Sequence, residues 1–290
     1  MTTHAVWIVG TPFSGSTITQ RLVGRFENVA VVGEIDRIAA FNMHPHGADN
    51  PTTYMDRCAY CWAHDLDCAL WTPAMFDRLG KSGPGPRVYD ILAEATRAEV
   101  ILDSSKTPWW FLNVSSHADF AEWPGKISVL HCVRHPFAFA VSLANRTGES
   151  LEQCVLSWMI INRDALSVVQ RCARFIPILT VYHNRVLKEP QRLLSTVSSW
   201  LGLGMPAQER VHHYLGGNVA AWPFKAKQEQ ITPEFRESVD YFAKVNATAE
   251  DDGRWRSKID TGMRWRLAGL PGVREMCTVL GIDIDALILS

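Results

Sequence analysis

The sequence predicts a three-layer α/β/α fold, with one mainly parallel central sheet of four or five strands and helices on both faces. Three observations lead there. Five short β-branched, mainly apolar runs, AVWIVG, VAVVGE, VILDSS, SVLHCV and IPILTVY, are spread along the chain, most ending in turn, polar or charged residues, as strands buried on both faces read. Stretches of helical period lie between several of them, at Ser16 to Phe26, Pro136 to Arg146 and Leu151 to Phe175, and strands alternating with helices build parallel sheets. Polar residues follow four of the runs directly, at Gly10 to Thr17, Glu34, Asp103 to Lys106 and Arg134, where ligands of such sheets bind.

At 290 residues, with no internal repeat and no low-complexity linker, the chain reads as a single domain. The stretch from His44 to Pro86 is rich in Pro, Gly, Asp and aromatic residues and holds three of the seven cysteines; it is expected to be an insertion or lid. The tail from Gly262 reads as helical with a break at Gly281. Twenty-nine basic residues face 30 acidic ones, which argues against a nucleic-acid or membrane partner held by overall charge. Anion binding must then be local. The N-terminus MTTHAVWIVG has no basic segment and only a short apolar run, and the cysteines are odd in number and scattered; a reducing, cytoplasmic setting is expected.

The first cluster, GTPFSGST, follows a strand and precedes a helix. Gly10 and Gly15 permit close backbone approach, and Ser14, Ser16 and Thr17 add hydroxyls to the N–H groups of the helix start. Such a loop binds phosphate, although Ser16 stands where the usual lysine would be; a simple strand-to-helix turn is the plain alternative. Glu34 at the next strand end is either a general base or an acid facing a helix N-terminus. Lys106, after DSS, either neutralises charge on a transferred group or is a solvated loop residue. Trp109 and Trp110 line an acceptor pocket or belong to the core. Arg134 and Ser142 are placed to clasp one further phosphate, with Ser142 as plain helix surface the alternative.

In this order and spacing the four segments resemble the sulfotransferases that use 3′-phosphoadenosine 5′-phosphosulfate. The resemblance implies a sulfotransferase fold like that of the P-loop kinases in topology, with adenosine 3′,5′-bisphosphate as product and no metal required. It places Thr11, Pro12, Phe13, Ser14, Gly15, Ser16 and Thr17 around the 5′-phosphosulfate, and Arg134 and Ser142 on the 3′-phosphate. GEIDR resembles the GEETR of tyrosylprotein sulfotransferases, which makes Glu34 the base with Arg37 in support, and SSKTP resembles their NKDP, which puts Lys106 on the sulfate in flight. Bacterial members also carry SGSTLL loops, a DSSK segment and a HHxxGGN stretch; HHYLGGN here spans His212 to Asn218. WRSKI resembles the segment that closes over the donor, with Trp255 and Lys258 at matching places, and VYHNRVLKEP brings Tyr182 or His183 to the adenine. Phe13 departs from the pattern: many members have Arg or Lys there, beside the leaving oxygen.

The acceptor side is assigned to Trp109, Trp110, His212 and Asn218, with a helix ending on glycine the plain alternative for HHYLGGN, and the acceptor to a small molecule with a hydroxyl or amine, such as a phenol, an alkaloid or a sugar. Cys58, Cys61, His64 and Cys68 fall within eleven residues. They are read as buried thiols or a local disulfide ahead of a zinc site, because the usual second CxxC pair is absent. Two other functions are weighed. A P-loop kinase or nucleotide hydrolase is opposed by the missing lysine and by the lack of an evident magnesium-binding aspartate motif. A nucleotide-binding protein without catalysis has only Phe13 in its favour.

Overall fold

The computed structural model describes residues 2–38, 61, 66–106, 108–172, 174–206 and 253–290. The five apolar runs are its five strands: β1 His4–Gly10, β2 Val29–Gly33, β3 Val100–Lys106, β4 Lys126–Val133 and β5 Ile178–Tyr182. They form one sheet, all parallel, in the order β2-β3-β1-β4-β5. Alternation along β1 explains why both faces had to be apolar. Ala5, Trp7 and Val9 enter one core cluster, while Val6 and Ile8 enter another, as the two-residue repeat of a strand requires.

Helices cover both faces. On the Trp7 side lie α2 (Pro73–Ser82), α3 (Arg87–Thr96), α4 (Pro108–Ser116) and the later turns of α6 (Leu151–Cys172), through Leu79, Val88, Tyr89, Trp110 and Ala165. The Ile8 side is covered by α1 (Ser16–Val23), α7 (His183–Lys188) and α8 (Pro190–Leu201), through Leu22, Val186 and Leu194. A third cluster gathers beyond the end of β4, where α5 (Pro136–Thr147) and the first turns of α6 meet α9 (Thr261–Ala268), α10 (Val273–Val279) and α11 (Ile284–Leu289). The C-terminal helical tail thus has two breaks, at residues 269–272 and 280–283, rather than one at Gly281.

Part of the expected lid belongs to the core instead. Trp71 and Leu79 are fully buried and Cys68 and Leu70 nearly so, in the cluster that holds Trp7 and Trp110. A large aromatic at Trp71 gains more by covering that sheet face than by shading a site mouth. Among the described residues no helix is long and apolar enough to cross a membrane.

Strand order fixes where a ligand can sit. β1 connects toward β2 on one side, and β4 connects to β5 on the other, so the loops after these two neighbours diverge and leave a crevice.

Candidate active site

The loop after β1 fills one wall of that crevice. Ser14 N–H donates to the Thr11 carbonyl at 3.2 Å, closing a tight turn, and α1 begins at Ser16. Gly10 and Gly15 have φ of 155° and 86°, and each is pressed against a neighbour. A Cβ at Gly10 would lie 2.4 Å from the Cys132 carbonyl of β4, and one at Gly15 2.1 Å from Cδ2 of His183. No side chain caps α1 and no acid lies in its first turn, so its opening N–H groups and dipole end are available to an anion. The hydroxyl oxygens of Thr11 and Ser14 are buried without a hydrogen-bond partner. Ser16 is also buried, and Thr17 partly so.

Arg134, at the end of β4, forms the second wall. Its Nη1 donates to the Phe13 carbonyl at 2.8 Å and to Ser142 Oγ at 3.1 Å, and its own carbonyl accepts from Trp158 Nε1 at 2.9 Å. Arg134 and Ser142 are therefore brought together as expected from their spacing. Phe13, expected beside the leaving group, turns its ring to α5 instead. It meets Phe139 edge to face at 6.1 Å, with the Arg146 guanidinium 5.9 Å from its centroid. With φ of 61° at Phe13, the backbone carbonyl rather than the ring faces Arg134.

Past Arg134 opens a cavity of about 380 Å³, lined among others by His135, Tyr182, Arg185, Arg256 and Asp283. Tyr182 and His183 separate here. Tyr182 lines the cavity, its hydroxyl donating to the Leu280 carbonyl at 3.0 Å, whereas His183 is buried under Gly15. The WRSKI segment divides between core and cavity. Trp255 is a core residue, packed against the guanidiniums of Arg256 and Arg264 and the rings of His135 and Phe137. Arg256 reaches the cavity, and Lys258 is exposed and absent from its lining.

The opposite wall comes from β2 and β3. Glu34 follows β2, is 4% exposed, and accepts from Lys106 Nζ at 2.5 Å. Register explains how Lys106 gets there. Trp7 pairs with Asp103 but Val9 with Lys106, so β3 carries one extra residue in a bulge that moves Lys106 to the place Ser105 would take. Lys106 has φ of 63°, a left-handed conformation that costs a non-glycine residue about 1 kcal/mol or more. Beside the bulge, Asp103 is fully buried and accepts from Ser105 N, Ser105 Oγ, Tyr89 Oη and Trp110 Nε1 at 2.9, 2.5, 2.8 and 2.7 Å. Burial pushes its carboxyl up to about 6, with these hydrogen bonds opposing the rise.

The two tryptophans after Lys106 divide. Trp109 is 71% exposed, while Trp110 is fully buried against Asp103 and belongs to the core rather than to an acceptor pocket. Cys61 and Cys68 are buried in the Trp7-side cluster, and the Trp71 N–H points at Cys68 Sγ at 3.3 Å. Cys58, His64, His212 and Asn218 lie outside the described residues, as does the side chain of Arg37. Sequence reasoning missed Arg185 and Arg256. Their signal was present, three residues after Tyr182 at a helix start and two before Lys258.

No protein-family model matches the sequence, and no curated protein does. Solved structures do. The sulfotransferase domain of the olefin synthase from Synechococcus PCC 7002 superposes with a TM-score of 0.52 at 16% identity, covering 89% of this chain and 94% of that one. The sulfotransferase domain of the curacin biosynthetic pathway gives 0.49 at 15%, covering 88% and 97%. A sulfotransferase from Alicyclobacillus acidocaldarius gives 0.41 at 13%, covering 97% of each chain. On the first of these likenesses, the chain has the fold of a sulfotransferase domain.

Proposed function

We propose that this chain is a sulfotransferase, which moves the sulfuryl group of 3′-phosphoadenosine 5′-phosphosulfate to a hydroxyl or amine of a small-molecule acceptor. The observation that carries this reading is the meeting of two unlike walls. An uncapped helix start with buried, unpartnered hydroxyls at Thr11 and Ser14 adjoins a Glu34–Lys106 pair set at the ends of β2 and β3, the latter the neighbour of β1.

Each wall fits its part of the donor. Thr11 and Ser14 hydroxyls and the N–H groups at the start of α1 suit the phosphate bearing the sulfate. Arg134 with Ser142 suits the second phosphate, and the cavity toward Tyr182, Arg185 and Arg256 suits the nucleoside. The donor supplies a sulfuryl group on a phosphate leaving group. Lys106 neutralises negative charge at the sulfate, which requires it to leave Glu34. Glu34 then takes the proton of the acceptor hydroxyl or amine while the acceptor's lone pair forms the new bond to sulfur. The bond between sulfur and the bridging oxygen breaks, and the loop N–H groups stabilise the charge left on that oxygen.

A kinase reading finds less support. Kinase-type sites in this topology hold magnesium through an aspartate aimed at the phosphates. Asp103, on the strand beside β1, instead turns inward to Tyr89 and Trp110.

Calorimetry in the presence of a chelator tests the reading, with adenosine 3′,5′-bisphosphate expected to bind at one site and ATP at least ~100-fold more weakly. Labelled donor should then pass sulfate to members of a phenol, alkaloid and sugar panel. Magnesium-dependent turnover of ATP, or no bisphosphate binding, would reject it.

A further inference from the structure

We propose that Asp103 is a positioning residue for this site: through the Ser105 hydroxyl it ties the end of β3 that carries Lys106 to the turn that carries Glu34. The inference takes from the preceding section only that Glu34 and Lys106 are the reacting pair.

The geometry begins with the bulge. An extra residue in a strand loses its place in the ladder, and the Ser105 N–H is given a partner by Asp103 Oδ1 at 2.9 Å. The same oxygen accepts the Ser105 hydroxyl at 2.5 Å. With its proton spent there, Ser105 Oγ serves as acceptor for the Asp36 N–H at 3.2 Å. Asp36 sits in the short 3₁₀ turn Ile35–Arg37, directly after Glu34 in space and sequence. Lys106 directly follows Ser105. One hydroxyl therefore joins the two backbones whose side chains meet at 2.5 Å.

Asp103 itself is anchored from elsewhere. Tyr89 of α3 and Trp110 of α4 donate to Oδ2 at 2.8 and 2.7 Å, so two helices of that layer hold the carboxylate still. All four donors require a group that only accepts, which an ionised aspartate is and an asparagine is not. Keeping a carboxylate wholly buried among neutral donors is costly, as its upward-shifted pKa records. The plain alternative is a packing role, satisfied by any arrangement that leaves the fold intact.

Ser105→Ala separates the two, because it removes the tie and leaves Tyr89, Trp110 and Asp103 in place. Three measurements are made on the full chain: exchange of the Asp36 amide hydrogen, affinity for adenosine 3′,5′-bisphosphate, and kcat. Expected are at least ~10-fold faster Asp36 exchange, bisphosphate affinity within about twofold of the parent and a kcat ~10-fold or more lower. Ser105→Thr, which restores a hydroxyl on a β-branched residue suited to a strand, should recover both exchange and kcat. Asp103→Asn should resemble Ser105→Ala if it folds. Unchanged Asp36 exchange overturns the tie, and faster exchange with normal kcat overturns the positioning role. Absence of bisphosphate binding by the parent chain falls on the preceding reading alone, since Asp36 exchange still decides the tie.

Discussion

On the β1–β4 side of the site, Thr11 and Ser14 bury hydroxyl oxygens without partners, whereas on the β2–β3 side Asp103 collects four donors and Lys106 closes on Glu34. The first wall is incomplete by itself. Each unmet buried polar group costs about 1–3 kcal/mol, and an anion in the loop would return that energy on binding. The second wall is closed by the Glu34–Lys106 pair, which in the proposed reaction opens before it acts. Binding energy at the first wall can thus drive the opening of the second.

The comparison breaks most visibly at Gly15. Gly15→Ala places a Cβ against His183 at a φ of 86°, so the loop must shift and its convergent N–H groups with it. Two or three anion hydrogen bonds at about 1.5–3 kcal/mol each are at stake. Bisphosphate binding should fall beyond calorimetric detection while a thermal melt still shows a cooperative fold.

Glu34→Gln acts on the other wall alone. Turnover should drop ~100-fold or more, with bisphosphate affinity within about twofold of the parent. Near-normal turnover would remove Glu34 from the chemistry, and a parallel loss of affinity would deny that the walls are separable.

A smaller effect sharpens the contrast through pH. His131, on β4, is 3% exposed with Nε2 unpartnered, and burial lowers its pKa to about 4. Between about 6.5 and 4 the unfolded chain binds a proton there that the folded chain does not, so this histidine takes away stability as pH falls. Asp103 acts in reverse. With its carboxyl raised to about 6, the folded chain binds the extra proton between about 6 and 3.8, and stability is gained as pH falls. His131→Gln should therefore be more resistant to acid than the parent, by about 2–3 kcal/mol at pH 4.5 relative to pH 6.5 in urea unfolding. Equal pH slopes for the two chains would show that His131 is not held neutral.

Legibility in the sequence was uneven for a physical reason. The pairing of Arg134 with Ser142 was readable, because a strand end and the next helix lie eight residues apart and local geometry brings them together. Trp109 and Trp110 were not separable from sequence, since adjacent helical residues point about 100° apart and only the packed partner decides which is inside. The same holds for Trp255, whose place is decided by His135 and Phe137, more than 100 residues earlier.

Four or five strands, a mainly parallel arrangement and a glycine-bearing loop at a strand end were determined by the chain alone, through apolar periodicity and the backbone freedom of Gly10 and Gly15. These are short-range properties, set within a few residues. Tertiary structure alone decided the bulge that moves Lys106 toward Glu34, the inward turn of Asp103, the rotation of Phe13 onto α5 and the gathering of Arg134, Arg185 and Arg256 around one cavity. Each depends on groups far apart in sequence competing for the same buried space, a contest that no local pattern records.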